Sequence, residues 1–293
     1  MAKIAVIGPG AIGGVMAAWL AHSGEHEVLL CARRPLPELT VETPSGTLRI
    51  GKPALTDPRQ ASPVDWILVA TKAYDAEGAA AWFQPLGAGK APVAVLQNGI
   101  EHRERFAPYV PKERIIPVVV ECPVERPEPA RIHQRRKALL TMPNDTLGVA
   151  FAALFQGTEV GTNPIDDFQT AVWRKLCLNC AGVIPGILLQ PAGIFHQEGA
   201  ARAGMDLVRE CAAVGRAEGA KLAPDIAEQI VAHYRAQPRD SINSLHADRM
   251  AGRRTEIDAR NGVIVRLGEK HGIPAPCNRM AVALIEAMEH VQA

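Results

Sequence analysis

The chain has 293 residues, 47% of them hydrophobic and 22% charged. That is the balance of a globular protein of one or two domains, neither disordered nor fibrous. A formal charge of +1 from 32 Lys and Arg against 31 Asp and Glu argues against a large electrostatic partner, nucleic acid above all.

Residues 4–21 carry no charge, yet Gly8-Pro9-Gly10 and Gly13-Gly14 interrupt them where a membrane span or signal peptide needs an unbroken apolar helix. A strand, a turn and a helix account for those glycines. Residues 3–7 form the strand. From Ile12 the pattern is helical, with Met16, Trp19, Leu20 and Ser23 at three- and four-residue spacing and Gly24 as the stop. A second strand follows at residues 27–31. The runs 65–71 (DWILVAT) and 92–97 (PVAVLQ) are almost wholly apolar, as strands buried on both faces are, and 115–120 is another candidate. Residues 43–56 and 122–143 are turn-rich and read as strand and loop additions to the same domain.

Beyond Asn163-Pro164 the texture becomes helical, with candidates at 167–181, 199–218, 224–236, 244–251, 257–270 and 278–290. The chain therefore reads as an α/β domain with a doubly wound parallel sheet, residues 1–163, followed by an all-α domain, residues 164–293. Six cysteines spread thinly over so long a chain read as free thiols in a reducing cytoplasm. Cys177 and Cys180 are spaced like a metal or redox pair, but no second pair accompanies them, so they read as small helix fillers and no metal is expected. Arg135-Arg136-Lys137 reads as a solvated surface segment.

Gly8-Pro9-Gly10-Ala11-Ile12-Gly13 matches G-x-G-x-x-G between a strand and a helix. There the glycines allow a tight turn and close approach of the backbone to a pyrophosphate, which the helix N-terminus attracts. At the end of the second strand an NAD-binding domain carries an acid for the ribose; here stands Cys31-Ala32-Arg33-Arg34. Arg33 and Arg34 suit a 2′-phosphate, which favours NADPH/NADP+, although two surface arginines read the same way. Lys72 and Asn98 follow the third and fourth parallel strands, at the sheet edge that holds ligands; Asn98-Gly99 is also an ordinary turn pair. Lys175 and Asn179 lie four apart on one helix face among apolar neighbours, where burial would ease proton loss from the lysine, while a snorkelling surface lysine is the alternative. Ser244 and Glu256 sit where helix caps and first-turn carboxylates belong.

Taken together, the glycine turn, Ala70-Thr71-Lys72-Ala73, Leu96-Gln97-Asn98-Gly99, Trp173-Arg174-Lys175-Leu176 with Asn179, and Ser244 followed by Arg254-Thr255-Glu256-Ile257-Asp258 resemble the ketopantoate reductase family. The resemblance implies a Rossmann-type domain followed by a helical domain like that of phosphogluconate dehydrogenases, and reduction of ketopantoate to pantoate by NADPH in the cleft between the two. It implies Lys175 as general acid and Glu256 as the residue orienting cofactor and substrate. Asn98, Asn179 and Ser244 would bind the substrate, with Lys72 beside the cofactor.

A cationic donor suits this reaction, because hydride arriving at a ketone carbon leaves negative charge on oxygen. The sequence departs from the family at Val183, where a further Asn is common, and around Val120-Glu121-Cys122-Pro123, so Glu121 or His133 is expected to reshape the pocket. Two alternatives stay open: a relative reducing another 2-oxo compound, and a non-catalytic NADP(H)-binding redox sensor. The sequence is compatible with a homodimer but does not specify one.

Overall fold

Strands covered on both faces need no polar alternation, and β1 (Ala2–Ile7) buries Ile4, Ala5, Val6 and Ile7 in succession. In the computed structural model, which describes residues 1–87 and 89–290, it is an inner strand of a five-stranded parallel sheet. The order is β2-β1-β5-β6-β7, with β2 at His26–Cys31, β5 at Trp66–Val69, β6 at Val93–Val95 and β7 at Ile115–Pro117. The chain steps from β1 to β2 on one side and later returns to β5 on the other, so the switch in strand order lies at β1.

One face of this sheet (Ile4, Val6, Leu68, Ala94) packs on Val15, Met16 and Leu20 of α1 (Ala11–His22). The other (Ala5, Ile7, Ile67, Val69) packs on Trp82, Phe83 and Phe106, around α2 (Ala76–Ala80), α3 (Phe83–Leu86) and α4 (His102–Phe106). This is the doubly wound arrangement the apolar runs predict. A second sheet, ordered β4-β3-β10-β9, is built from β3 (Leu39–Thr43), β4 (Gly46–Ile50), β9 (Val124–Glu128) and β10 (Arg131–Gln134). It covers α1, and the Trp19 indole donates to Gln134 Oε1 at 2.9 Å. A third sheet joins β8 (Val119–Glu121), β11 (Leu139–Pro143) and β12 (Gly161–Ile165), with α5 (Thr146–Ala153) beside it.

Two boundaries differ from those read in the sequence. The run 115–120 is two strands in different sheets, because Pro117, lacking an N–H, ends β7 at the sheet edge and β8 turns away to pair antiparallel with β11. The chain divides into compact units after Phe168, not after Asn163. Asn163 and Pro164 lie inside β12, paired with Thr141 and Met142 of β11.

The second unit, Gln169–Ala293, includes residues 291–293, which lie outside the described residues. It is helical: α6 (Phe168–Ala181), α7 (Val183–Leu188), α8 (Glu198–Ala217), α9 (Ile226–Ala236), α10 (Ser244–Met250), α11 (Val263–His271) and α12 (Pro276–His290). The predicted helix 257–270 is interrupted, its first turn being π-helical over Asp258–Gly262. Helix α7, at 6 residues, is too short to give a periodic signal in the sequence. Cys177, Cys180 and Cys211 are free, fully buried thiols, with the Cys177 and Cys211 sulfurs 3.6 Å apart; they act as core fillers beside Trp173.

The end of β6 is fixed by a buried network. Gln97 donates to Thr71 Oγ1 at 3.0 Å and to the Lys72 carbonyl at 3.3 Å, and its Oε1 accepts from Arg105. His102 Nε2 donates to the Gln97 carbonyl at 2.8 Å, while His102 Nδ1 is buried without a hydrogen-bond partner among the described residues. Burial pushes the His102 pKa from 6.5 down to about 4. A depressed folded value means the unfolded chain binds the proton more readily, so stability from neutral His102 is complete above pH 6.5 and lost as pH falls through about 4. In urea titrations, stability should therefore fall from pH 6.5 to below 4, His102 accounting for about 3 kcal/mol. His102→Asn should remove that share of the slope, and an unchanged slope in the variant would refute the assignment.

Candidate active site

The turn after β1 is built for close approach. Gly8 has φ +82°, its N–H donates to the Cys31 carbonyl at 2.9 Å, and Gly10 N–H donates to the Gly8 carbonyl at 2.7 Å. A Cβ on Gly8 would lie 2.8 Å from Thr71 Cγ2, and one on Gly13 would lie 2.4 Å from the Gly8 carbonyl oxygen, so both glycines are demanded by the fold itself. Gly10 differs. Its φ is an ordinary −79° and a Cβ there would meet nothing nearer than 3.9 Å. The fold leaves space in front of Gly10, and no side chain caps the first turn of α1, where Ala11 and Ile12 present backbone N–H groups. An open cradle at an uncapped helix N-terminus fits a dinucleotide pyrophosphate. Pro9, buried, stiffens the turn.

Around this cradle the other parallel strands deliver their ends. Lys72 follows β5 and immediately precedes a short 3-10 turn, and Asn98 follows β6 directly after Gln97; both are half-buried. Arg33 and Arg34 are exposed beyond β2, and Arg33 pairs with Asp75 at 3.3 Å. One cation was missed in the sequence. Arg126, on β9 of the second sheet, brings Nη1 to 3.9 Å from the Cβ position of Gly10, its Nε and Nη2 donating to the Pro129 carbonyl. Only the pairing of β9 with β10, which packs on α1, brings it there. Glu121 ends β8 and His133 lies on β10 opposite Glu42 and Glu125; both side chains are exposed.

In the second unit Lys175 and Asn179 are half-buried on one face of α6, while Leu176, Cys177 and Cys180 are buried in the core. Near the end of α6 remote side chains reach backbone carbonyls, of which that of Leu178 also accepts from Gly182 N–H at 3.3 Å. Tyr234 Oη donates to the Leu178 carbonyl at 2.9 Å, Arg260 Nη2 to that of Asn179 at 2.5 Å, Asn261 Nδ2 to that of Cys180 at 3.3 Å, and Asn243 Nδ2 to that of Gly182 at 2.8 Å. A Cβ on Gly182 would fall within 2.5 Å of Tyr234 Oη and 2.9 Å of both Arg260 Nη2 and Asn243 Nδ2. Desolvation raises the Tyr234 pKa to about 12, which keeps the phenol a donor.

Ser244 is not the cap of α10, as its position alone allowed. Asn243 caps that helix by accepting from His246 N–H at 3.0 Å, which leaves the Ser244 hydroxyl to accept from Arg260 Nη1 at 3.4 Å. Glu256 is 7% exposed and precedes the π turn instead of lying within it. Val183 is fully buried at the start of α7. The second unit therefore gathers Asn179, Ser244 and Arg260 through direct contacts, with Lys175 one turn before Asn179. Arg260 had no sequence signal beyond its place after Glu256.

Comparison with known proteins identifies the family of the chain. The family described as "Ketopantoate reductase PanE/ApbA" matches residues 4–145, and its C-terminal counterpart, "Ketopantoate reductase PanE/ApbA C terminal", matches residues 167–289. A 2-dehydropantoate 2-reductase of Caulobacter vibrioides is 50% identical over 98% of this chain and 99% of its own length. One from Mycobacterium tuberculosis is 35% identical over 97% of each. The crystal structure of a PanE/ApbA family ketopantoate reductase from Ralstonia eutropha JMP134 superposes with a TM-score of 0.90 at 34% identity, covering 99% of both chains.

Gly10 and Gly13 can be separated by experiment. Gly13→Ala should destabilise the protein, since its Cβ would strike the Gly8 carbonyl. Gly10→Ala should leave the urea midpoint unchanged but weaken dinucleotide binding by about tenfold or more in a fluorescence titration. Equal affinity in Gly10→Ala would remove the cradle from the account.

Proposed function

Because the chain belongs to the ketopantoate reductase family, we propose that it reduces ketopantoate to pantoate with NADPH, a cytoplasmic step of pantothenate synthesis. The observation that carries this reading is the near-full-length identity with 2-dehydropantoate 2-reductases. When bound, NADPH supplies the hydride.

In this reading Gly8, Pro9, Gly10, Ala11, Ile12 and Gly13 receive the pyrophosphate, with Arg126 as a nearby countercharge. Arg33 and Arg34 take the 2′-phosphate. The exposed Arg33–Asp75 pair is no obstacle, because such pairs contribute little and Arg33 can turn from carboxylate to phosphate. Lys72 lies along the cofactor and Glu256 orients cofactor and substrate. Asn98, Asn179 and Ser244 hydrogen-bond the 2-oxo acid. As negative charge gathers on the ketone oxygen, the Lys175 ammonium stabilises it and then gives it a proton from Nζ.

Val183 favours a second reading, in which a relative with the same chemistry acts on another 2-oxo acid, since an apolar residue stands where the family commonly has an amide. Steady-state NADPH oxidation with a panel of 2-oxo acids separates the two. Ketopantoate performing best, with NADPH bound more tightly than NADH, supports the first. Ketopantoate performing no better than its analogues supports the second. Lys175→Ala should lower turnover by about 100-fold to 10,000-fold while NADPH binding persists; unimpaired turnover would take Lys175 out of the mechanism.

A further inference from the structure

Arg260 is the least explained group in the second unit. It is 2% exposed, yet its partners among the described residues are uncharged: the Asn179 carbonyl at 2.5 Å and the Ser244 hydroxyl at 3.4 Å. Its Nε is buried with no hydrogen-bond partner among the described residues. Glu256 and Asp248 favour its charge electrostatically, and Asp248 is paired with Arg253 at 2.9 Å. A guanidinium keeps its charge in any protein environment, and burying it without a contacting carboxylate is costly. Such a group is retained where an anion arrives to complete the pairing.

Its neighbours are the residues assigned above to the substrate. Nη1 occupies a lone pair of the Ser244 oxygen, so the hydroxyl proton is directed away from Arg260, and Ser244 itself is exposed. Nη2 holds the backbone of Asn179. The π turn places the guanidinium here: Asp258–Gly262 winds one residue wider than an α-helix, a form that recurs at functional sites. At Val183, where an amide would have offered another donor, this chain has a fully buried apolar side chain.

We propose that Arg260 is a specificity-determining positioning residue, a buried cation that turns the Ser244 hydroxyl outward as a donor and supplies the positive potential selecting the carboxylate of a 2-oxo acid. This rests on the reading that Ser244 and Asn179 hold such an acid. Arg260 acts through Ser244 and through its field, so its loss weakens binding of the anion and spares neutral analogues.

The test uses the intact protein and measures ketoisovalerate and its methyl ester as competitive inhibitors of ketopantoate reduction. The wild type should bind the acid more tightly than the ester. Arg260→Gln should weaken the acid by about tenfold to a hundredfold, the range for a hydrogen bond to a charged group. The ester and the NADPH affinity should stay unchanged, and the loss should appear in KM more than in kcat. Arg260→Lys, which keeps the charge, should retain most of the acid preference.

Equal losses for acid and ester in Arg260→Gln would mean a merely structural role and overturn the proposal. So would equal affinities of the two in the wild type, which needs no variant to fold. If the wild type reduces no 2-oxo acid, the underlying reading fails and the proposal with it. If it reduces ketopantoate but Arg260→Gln shows no selective loss, only the proposal fails.

Discussion

The end of α6 is held by side chains from elsewhere in the second unit. Four acceptors at or near that end, the carbonyls of Leu178, Asn179, Cys180 and Gly182, are met by Tyr234, Arg260, Asn261 and Asn243 from elsewhere in the unit. Together these four side chains tie the helix end to the rest of the unit. Lys175 and Asn179 lie on its last turns, and Ser244 is linked to the same clamp through Arg260. Proton donation at a ketone oxygen tolerates little error in position. In the proposed mechanism Lys175 and Asn179 therefore owe their placement to several side chains at once, Arg260 being one of them.

The first unit solves a simpler problem. A parallel sheet buried on both faces sends its strand ends to one edge, and at the switch point β1 hands over to α1 through a turn closed by Gly8 and Gly13. Gly10 is the informative residue. A Cβ there would meet nothing nearer than 3.9 Å, so packing does not account for its smallness, whereas the proposed pyrophosphate does.

Much of this was legible in the sequence because the signals are local. Residues 65–71 and 92–97 are apolar because both sheet faces are covered, and the glycine motif needs only six consecutive positions. Where partners come from distant segments the sequence falls silent. Arg260 and the Asn179 carbonyl it holds are 81 residues apart, and Arg126 reaches the glycine turn only because β9 pairs with β10. The split of 115–120 into two strands depends likewise on β11, which no local pattern names. Ser244 shows the same limit: its position suggested a cap, but Asn243 takes that role and leaves the hydroxyl to Arg260.

Gly182→Ala tests the clamp most directly. Gly182 has φ −64° and ψ −2°, which alanine adopts without strain, so the added methyl acts only by displacing Tyr234, Arg260 and Asn243. Turnover in ketopantoate reduction should fall by about tenfold or more, with a smaller effect on NADPH affinity, since the proposed pyrophosphate cradle lies in the first unit. Wild-type turnover in that variant would show that the clamp does not position Lys175 and Asn179.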